Sequence, residues 1–140
     1  MCTEWQERTM GFEMKISKEE FLPYAESTGD DDPLHFDEAL AKKLGWGDVT
    51  VPAGLIVLRA IRIVRVPMQE HFLEKHNAYI VRRKVDIDLL AGVLPGVEFK
   101  GVATVRIKRD NLVKIDFYFS QKGNICIHAE VIAFITPLPL

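Results

Sequence analysis

Residues 54–66 carry Leu55, Ile56, Val57, Leu58, Ala60, Ile61, Ile63, Val64 and Val66, interrupted only by Arg59, Arg62 and Arg65. Charges at i, i+3 and i+6 fit one stripe of a helix and clash with the period of two that a strand needs. A helix apolar on nearly every face has to be buried. The rest of the chain must therefore supply apolar cover on several sides. Pro67 is expected to end or bend this helix, and residues 68–76 read as polar helix or loop.

That cover lies downstream of the helix. Four strand-like runs, 78–90, 97–109, 112–121 and 124–135, are separated by Leu94-Pro95-Gly96, Asp110-Asn111 and Lys122-Gly123, all of them turn-forming. The third run alternates: Val113, Ile115, Phe117 and Phe119 share one face, with Lys114, Asp116, Tyr118 and Ser120 on the other. That is the pattern of a half-buried antiparallel strand. With residues 9–16 as a first strand, the expectation is an α+β chain of about five antiparallel strands wrapped around a long buried helix, the hot-dog fold. The 140 residues make this one domain, 1–140. One such unit leaves sheet edges and part of its helix uncovered, so at least a homodimer is expected.

Composition narrows the function classes. A net charge of −2 gives no reason to expect nucleic acid, and no apolar run is long enough to span a membrane. Residues 1–10 include Glu4, Glu7 and Arg8 and lack the apolar core of a secretory signal. Cys2 and Cys126 show neither Cys-x-x-Cys spacing nor a disulfide framework, so the expected location is cytoplasmic. His71, His76 and His128 lack metal-ligand spacing, and neither metal nor other cofactor is expected.

The chemistry concentrates upstream of the helix. Ser17 and Glu20 form a capping box flanked by Ile16 and Phe21, opening a helix that Pro23 should keep short or kinked. It leads through Tyr24 into Ser27-Thr28-Gly29-Asp30-Asp31-Asp32-Pro33-Leu34-His35-Phe36-Asp37. Gly29 permits backbone angles other residues avoid, while Pro33 fixes its own and pushes Asp32 out of the α region. A rigid hook of this kind can turn the Asp30 carboxylate and the His35 imidazole toward one point, as an acid/base pair requires. Gly-Asp alone would be ordinary turn material, and Asp37 reads as the cap of a further helix, 38–44, stopped by Gly45.

As a whole string the hook resembles the MaoC-like dehydratases and R-specific enoyl-CoA hydratases. Their signature reads Tyr, a few residues, Ser/Thr-Gly-Asp-x-Asn-Pro-Leu-His-x-Asp, then Ala. Tyr24, Thr28-Gly29-Asp30, Pro33-Leu34-His35, Asp37 and Ala41 fall in place, and Asp32 stands where the family has Asn. That Asn can donate a hydrogen bond and ionised Asp32 cannot, which points to different tuning or another thioester reaction. The family's His-Gly before its helix becomes Ala53-Gly54 here, so Gly54 matches and Ala53 does not.

The resemblance implies the hot-dog fold independently and a thioester tunnel near a subunit boundary. It implies Asp30 and His35 as the acid/base pair and the Gly54 amide as donor to the thioester oxygen. Tyr24, packed beneath the hook, and Ala53 and Leu55, flanking Gly54, are the expected substrate contacts. The implied reaction interconverts trans-2-enoyl and (3R)-3-hydroxyacyl thioesters of coenzyme A or acyl carrier protein, in fatty-acid metabolism. Two alternatives stand beside it, a hot-dog acyl-CoA thioesterase and one subunit of a heterodimeric dehydratase. The arginine stripe has three uses open to it, a partner surface, carboxylate pairing or coenzyme A phosphates, and Arg82-Arg83-Lys84 is another phosphate candidate.

Overall fold

The computed structural model describes residues 5–139; Cys2 lies outside them, and Cys126 is a buried free thiol. Five strands form one antiparallel sheet: β1 Glu7–Met14, β2 Ala78–Leu89, β3 Phe99–Ile107, β4 Leu112–Gln121 and β5 Asn124–Pro137. Their order is β1-β3-β4-β5-β2, so β2 and β1 are the edges. Three helices precede β2: α1 Phe21–Thr28, α2 Glu38–Lys43 and α3 Ala53–His76. The expected hot-dog arrangement is present, a long helix packed against a five-stranded sheet.

The sheet's inner face follows the alternation read from the sequence. Val113, Ile115, Phe117 and Phe119 of β4 are buried, as are Ala103 and Val105 of β3 and Ala129, Val131 and Ala133 of β5. Phe12 of β1 pairs in register with Gly101 of β3, and a Cβ at Gly101 would run into the Phe12 ring. Lys122 and Gly123 both take positive φ, the geometry of a two-residue hairpin, and join Gln121 directly to Asn124. The Gln121 side chain, almost fully buried, clasps the turn before β3. It accepts from Leu94 N at 2.8 Å and donates to the Leu94 and Val97 carbonyls at 3.1 Å each.

Two expectations about the long helix need correcting. Pro67 does not end it: α3 runs 24 residues, from Ala53 to His76. Met68 and Phe72, beyond the proline, are buried against the sheet, and that burial outweighs one missing N–H. Pro67 is also on the exposed side, where water can satisfy the carbonyl it strands. Nor is the helix buried all round. Ile56, Val57, Ala60, Val64, Met68 and Phe72 are covered, while Leu58, Ile63, Val66 and Leu73 stay exposed in the single chain. Upstream, α1 is short, with Pro23 in its first turn, where a backbone N–H has no intrahelical partner. Ser17 N–H donates to the Glu20 carboxylate at 2.8 Å as the box predicts, and Ile16 and Phe21 are both buried.

Candidate active site

Gly29 ends α1 in the left-handed region, φ 76°, and its N–H donates to Ala25 O at 2.8 Å. The chain then turns through Asp30–Asp32 into a 3₁₀ turn, Pro33–His35. Asp32 caps that turn, its Oδ1 accepting from Leu34 N at 3.1 Å. The capping position needs an acceptor, and both Asp and Asn supply one. The departure from Asn is therefore compatible with the hook's geometry. Asp37 caps α2 in the same way, accepting from Leu40 N at 3.0 Å.

The hook is fastened to the loop preceding α3. Thr50 N donates to Leu34 O at 3.3 Å, and Thr50 O accepts from His35 Nδ1 at 2.8 Å. A carbonyl can only accept, so Nδ1 carries a proton and Nε2 is the ring nitrogen left for another partner. That Nε2 lies 3.8 Å from Asp30 Oδ1, too far for a direct hydrogen bond and suited to a shared water. Phe21 packs edge-on against the imidazole, ring centroids 6.5 Å apart, and fixes its plane. The structure thus brings Asp30 and His35 together, as the sequence predicted.

Gly54 is the second residue of α3, so its N–H has no intrahelical acceptor. The junction's hydrogen bonds go from Leu55 and Ile56 to Pro52 O. The Tyr24 hydroxyl fills the space where a Gly54 side chain would be. Burial first, and then the Asp30 charge, push the Tyr24 phenol above its ordinary value of 10.0, against a smaller opposing effect of Thr28. It stays protonated and can donate. From beneath the hook, its hydroxyl thus meets the first turn of α3. Ala53 and Leu55 flank the same turn, each partly buried.

One orienting residue escaped the sequence reading. Thr50 acts through its backbone, so its side-chain type carries no signal. Glycine spacing held the only hint. A Cβ at Gly92 would strike the Trp46 ring and the Thr50 methyl, so that glycine lets the loop close under the hook. Gly92→Ala should cost about 1–3 kcal/mol by overpacking. Urea unfolding measures that, and turnover should fall with it as Thr50 is displaced.

The arginine stripe divides. Arg59 pairs with Glu20 at 2.6 Å, tying α3 to the segment before α1. Burial pushes the Glu20 carboxyl up, but the Ser17 N–H and the Arg59 guanidinium outweigh it and hold the group below its usual 4.5. At Asp48 the Val49 N–H leads, burial opposes and Lys18 assists, and the carboxyl sits below its usual 3.8. A lowered carboxylate contributes stability above its unfolded value and loses it as pH falls through the folded one. Unfolding midpoints should therefore drop below about pH 4.5, and Glu20→Gln should flatten that drop while costing about 1 kcal/mol or less at neutral pH.

Residues 6–106 match the sequence model of the family described as the FAS1-like dehydratase domain region. The chain belongs to that family. The FAS1-like dehydratase match spans β1, the hook, α3 and most of β3, and it accords with the MaoC-like resemblance of the hook itself. No curated protein sequence matches the chain. Among solved structures it is similar to the HadBC (3R)-hydroxyacyl-ACP dehydratase complex of Mycobacterium tuberculosis. That match has 16% identity and TM-score 0.75, over 96% of this chain and 100% of that one. It is also similar to the (R)-hydratase of A. caviae involved in PHA biosynthesis (15%, TM-score 0.66, 98% of each chain). A 1,4-dihydroxy-2-naphthoyl-CoA thioesterase of Synechocystis has the fold too, at 11% identity and TM-score 0.62, over 94% of this chain and 85% of that one. At such identities the likeness is one of fold. No helix among the described residues is long and apolar enough to cross a membrane.

Proposed function

We propose that this chain is an acyl-thioester hydratase/dehydratase interconverting trans-2-enoyl and (3R)-3-hydroxyacyl thioesters of coenzyme A or acyl carrier protein. One observation carries the reading. An imidazole pinned by Thr50 O turns its free nitrogen toward Asp30, and Tyr24, which feels the Asp30 charge, sets its hydroxyl against Gly54, whose amide has no intrahelical partner. In the hydration direction, water held between Asp30 and His35 Nε2 adds its oxygen to C3 and gives one proton to the pair. The electron pair of the double bond moves toward the thioester carbonyl, whose oxygen meets the Gly54 N–H at the positive end of α3. The pair then returns a proton to C2. One water has been added, and both groups recover their starting charge.

The acyl chain needs an apolar wall. Val85, Ile87 and Leu89 of β2 pair in register with buried Val131, Ala129 and Ile127, so they share the inner face, yet Ile87 and Leu89 remain exposed. β2 is also an edge strand. A second copy pairing along β2 would close this wall and continue the sheet, which supports a homodimer acting on acyl thioesters; a cytoplasmic location belongs to the same proposal. Sedimentation at micromolar concentration tests it, and a monomer counts against the assembly. The single domain, 1–140, is part of the same proposal.

Incubation with crotonyl-CoA separates hydration from hydrolysis. Loss of enoyl absorbance without free thiol supports the hydratase; thiol release supports the thioesterase. The His35–Asp30 geometry favours the first, since hydrolysis calls for no proton delivery to a carbon. A heteromeric dehydratase subunit is the second reading. Because the chain carries both members of the pair, it would be the active half. Activity appearing only on addition of a second protein would establish that.

A further inference from the structure

Arg62 and Arg65 of α3 and Arg82 of β2 converge on a groove of about 530 Å³ between the helix and the edge strand, walled by Leu58, Ile61 and Ile80. Arg59 and Arg106 have carboxylate partners, but none of these three does among the described residues. Arg82 is also out of pattern. It pairs in register with buried Ala133, two residues after buried Ile80, which puts it on the sheet's inner face where an apolar residue belongs. The strand bulges immediately after it, between Arg82 and Lys84. Three exposed guanidiniums without a carboxylate partner among the described residues thus line one groove, an arrangement that a single anion can join. The donor set continues along the helix. Leu58, Arg62, Arg65 and Gln69 recur at four, three and four residues, one face of α3, and Gln69 Nε2 is buried without a partner.

We propose that Arg62, Arg65 and Arg82 form a subsite for the phosphate of a phosphopantetheine arm. The inference rests on the reading of the chain as a thioester enzyme. Gly54, Leu58, Ile61 and Arg65 also lie on one stripe of α3, spaced at four, three and four residues. From Gly54 to Arg65 is 65 − 54 = 11 residues. At the helical rise that is about 16 Å. The extended arm has about thirteen bonds from sulfur to phosphorus and, at the reach of an extended chain, spans about 15 Å. A thioester held at the Gly54 amide thus puts its phosphate at the arginines, with Leu58 and Ile61 beneath the arm. Planar guanidiniums suit a phosphate, which accepts paired hydrogen bonds on several oxygens.

The test is calorimetric titration of the full chain with pantetheine, 4′-phosphopantetheine and coenzyme A, for the wild type and for Arg62→Gln, Arg65→Gln and Arg82→Gln. The wild type should prefer 4′-phosphopantetheine to pantetheine, and each substitution should shrink that preference about tenfold, the loss of one charge-assisted bond. An unchanged preference overturns the subsite, whatever the turnover. So does a preference that changes only for coenzyme A, which would assign the arginines to the nucleotide phosphates. Loss of affinity that appears only when sedimentation shows dissociation assigns them to a subunit interface and also overturns it. An enoyl-pantetheine bearing a terminal carboxylate is the last control. If Arg65→Gln abolishes selectivity for that acyl group and not for the arm phosphate, the anion is on the acyl end and the proposal fails. Arginine-dependent phosphopantetheine binding in a protein that does not hydrate crotonyl-CoA upholds the subsite and overturns the acid/base reading alone.

Discussion

Replacing Asp30 by Asn, or His35 by Ala, is expected to lower kcat for crotonyl-CoA hydration by about 10²–10⁴-fold, the usual worth of one positioned acid/base group. The double replacement should cost little more than either single one, because the two groups hold one water and act as a unit. KM should move less, since neither group grips the thioester. Asp30→Asn is the cleaner variant. It keeps the side chain's shape, whereas His35→Ala also removes the bond to Thr50 O, worth about 1 kcal/mol of stability. Unfolding midpoints alongside initial rates separate the two effects. Turnover surviving in a folded Asp30→Asn protein would remove the carboxylate from the mechanism.

Gly54→Ala should cut turnover by about 10²-fold, the scale of losing one donor to a developing oxyanion. The cause is a collision. The added methyl would occupy the place of the Tyr24 hydroxyl, although the next ring atoms lie at ordinary contact, 3.4 and 3.9 Å away. Only the phenol oxygen is in the way, which makes the effect reversible by a second change. In a Tyr24→Phe background the methyl fits, and alanine's better helix propensity should make the same substitution neutral or slightly stabilising. The sign of the stability change should thus differ between the two backgrounds, with a coupling of about 1–3 kcal/mol. Additive effects would show that the hydroxyl does not sit against this turn. Tyr24→Phe alone should slow turnover without unfolding the protein, since it deletes a protonated donor beside Asp30 and keeps the ring.

The sheet was legible because each buried strand repeats one rule, alternation closed by Gly, Pro or Asn at the turns. β4 begins and ends where its pattern does, and the other strands miss by one or two residues at one end or both, where no rule operates. The hook was legible because Gly29 and Pro33 restrict the backbone whatever surrounds them. Pro67 misled because local geometry argued for a break while Met68 and Phe72 found a sheet to pack on, which no window around the proline reveals. The one-sided burial of α3 was hidden for a related reason: an apolar face looks the same whether this chain covers it or another does. Tyr24 and Thr50 were the hardest to foresee. The first meets Gly54 across a tertiary gap, and the second contributes a main-chain oxygen common to every residue type.

A main-chain anchor also changes what sequence variation at the site can tell us. A tautomer held by a main-chain atom is indifferent to the chemistry of the residue bearing it, so position 50 is free to drift among side chains that fit the buried space beside Gly92, as long as the loop keeps its length and path. Relatives could share the chemistry with another residue of similar size there, whereas one inserted residue between Trp46 and Pro52 would leave every signature side chain in place and let the ring spin.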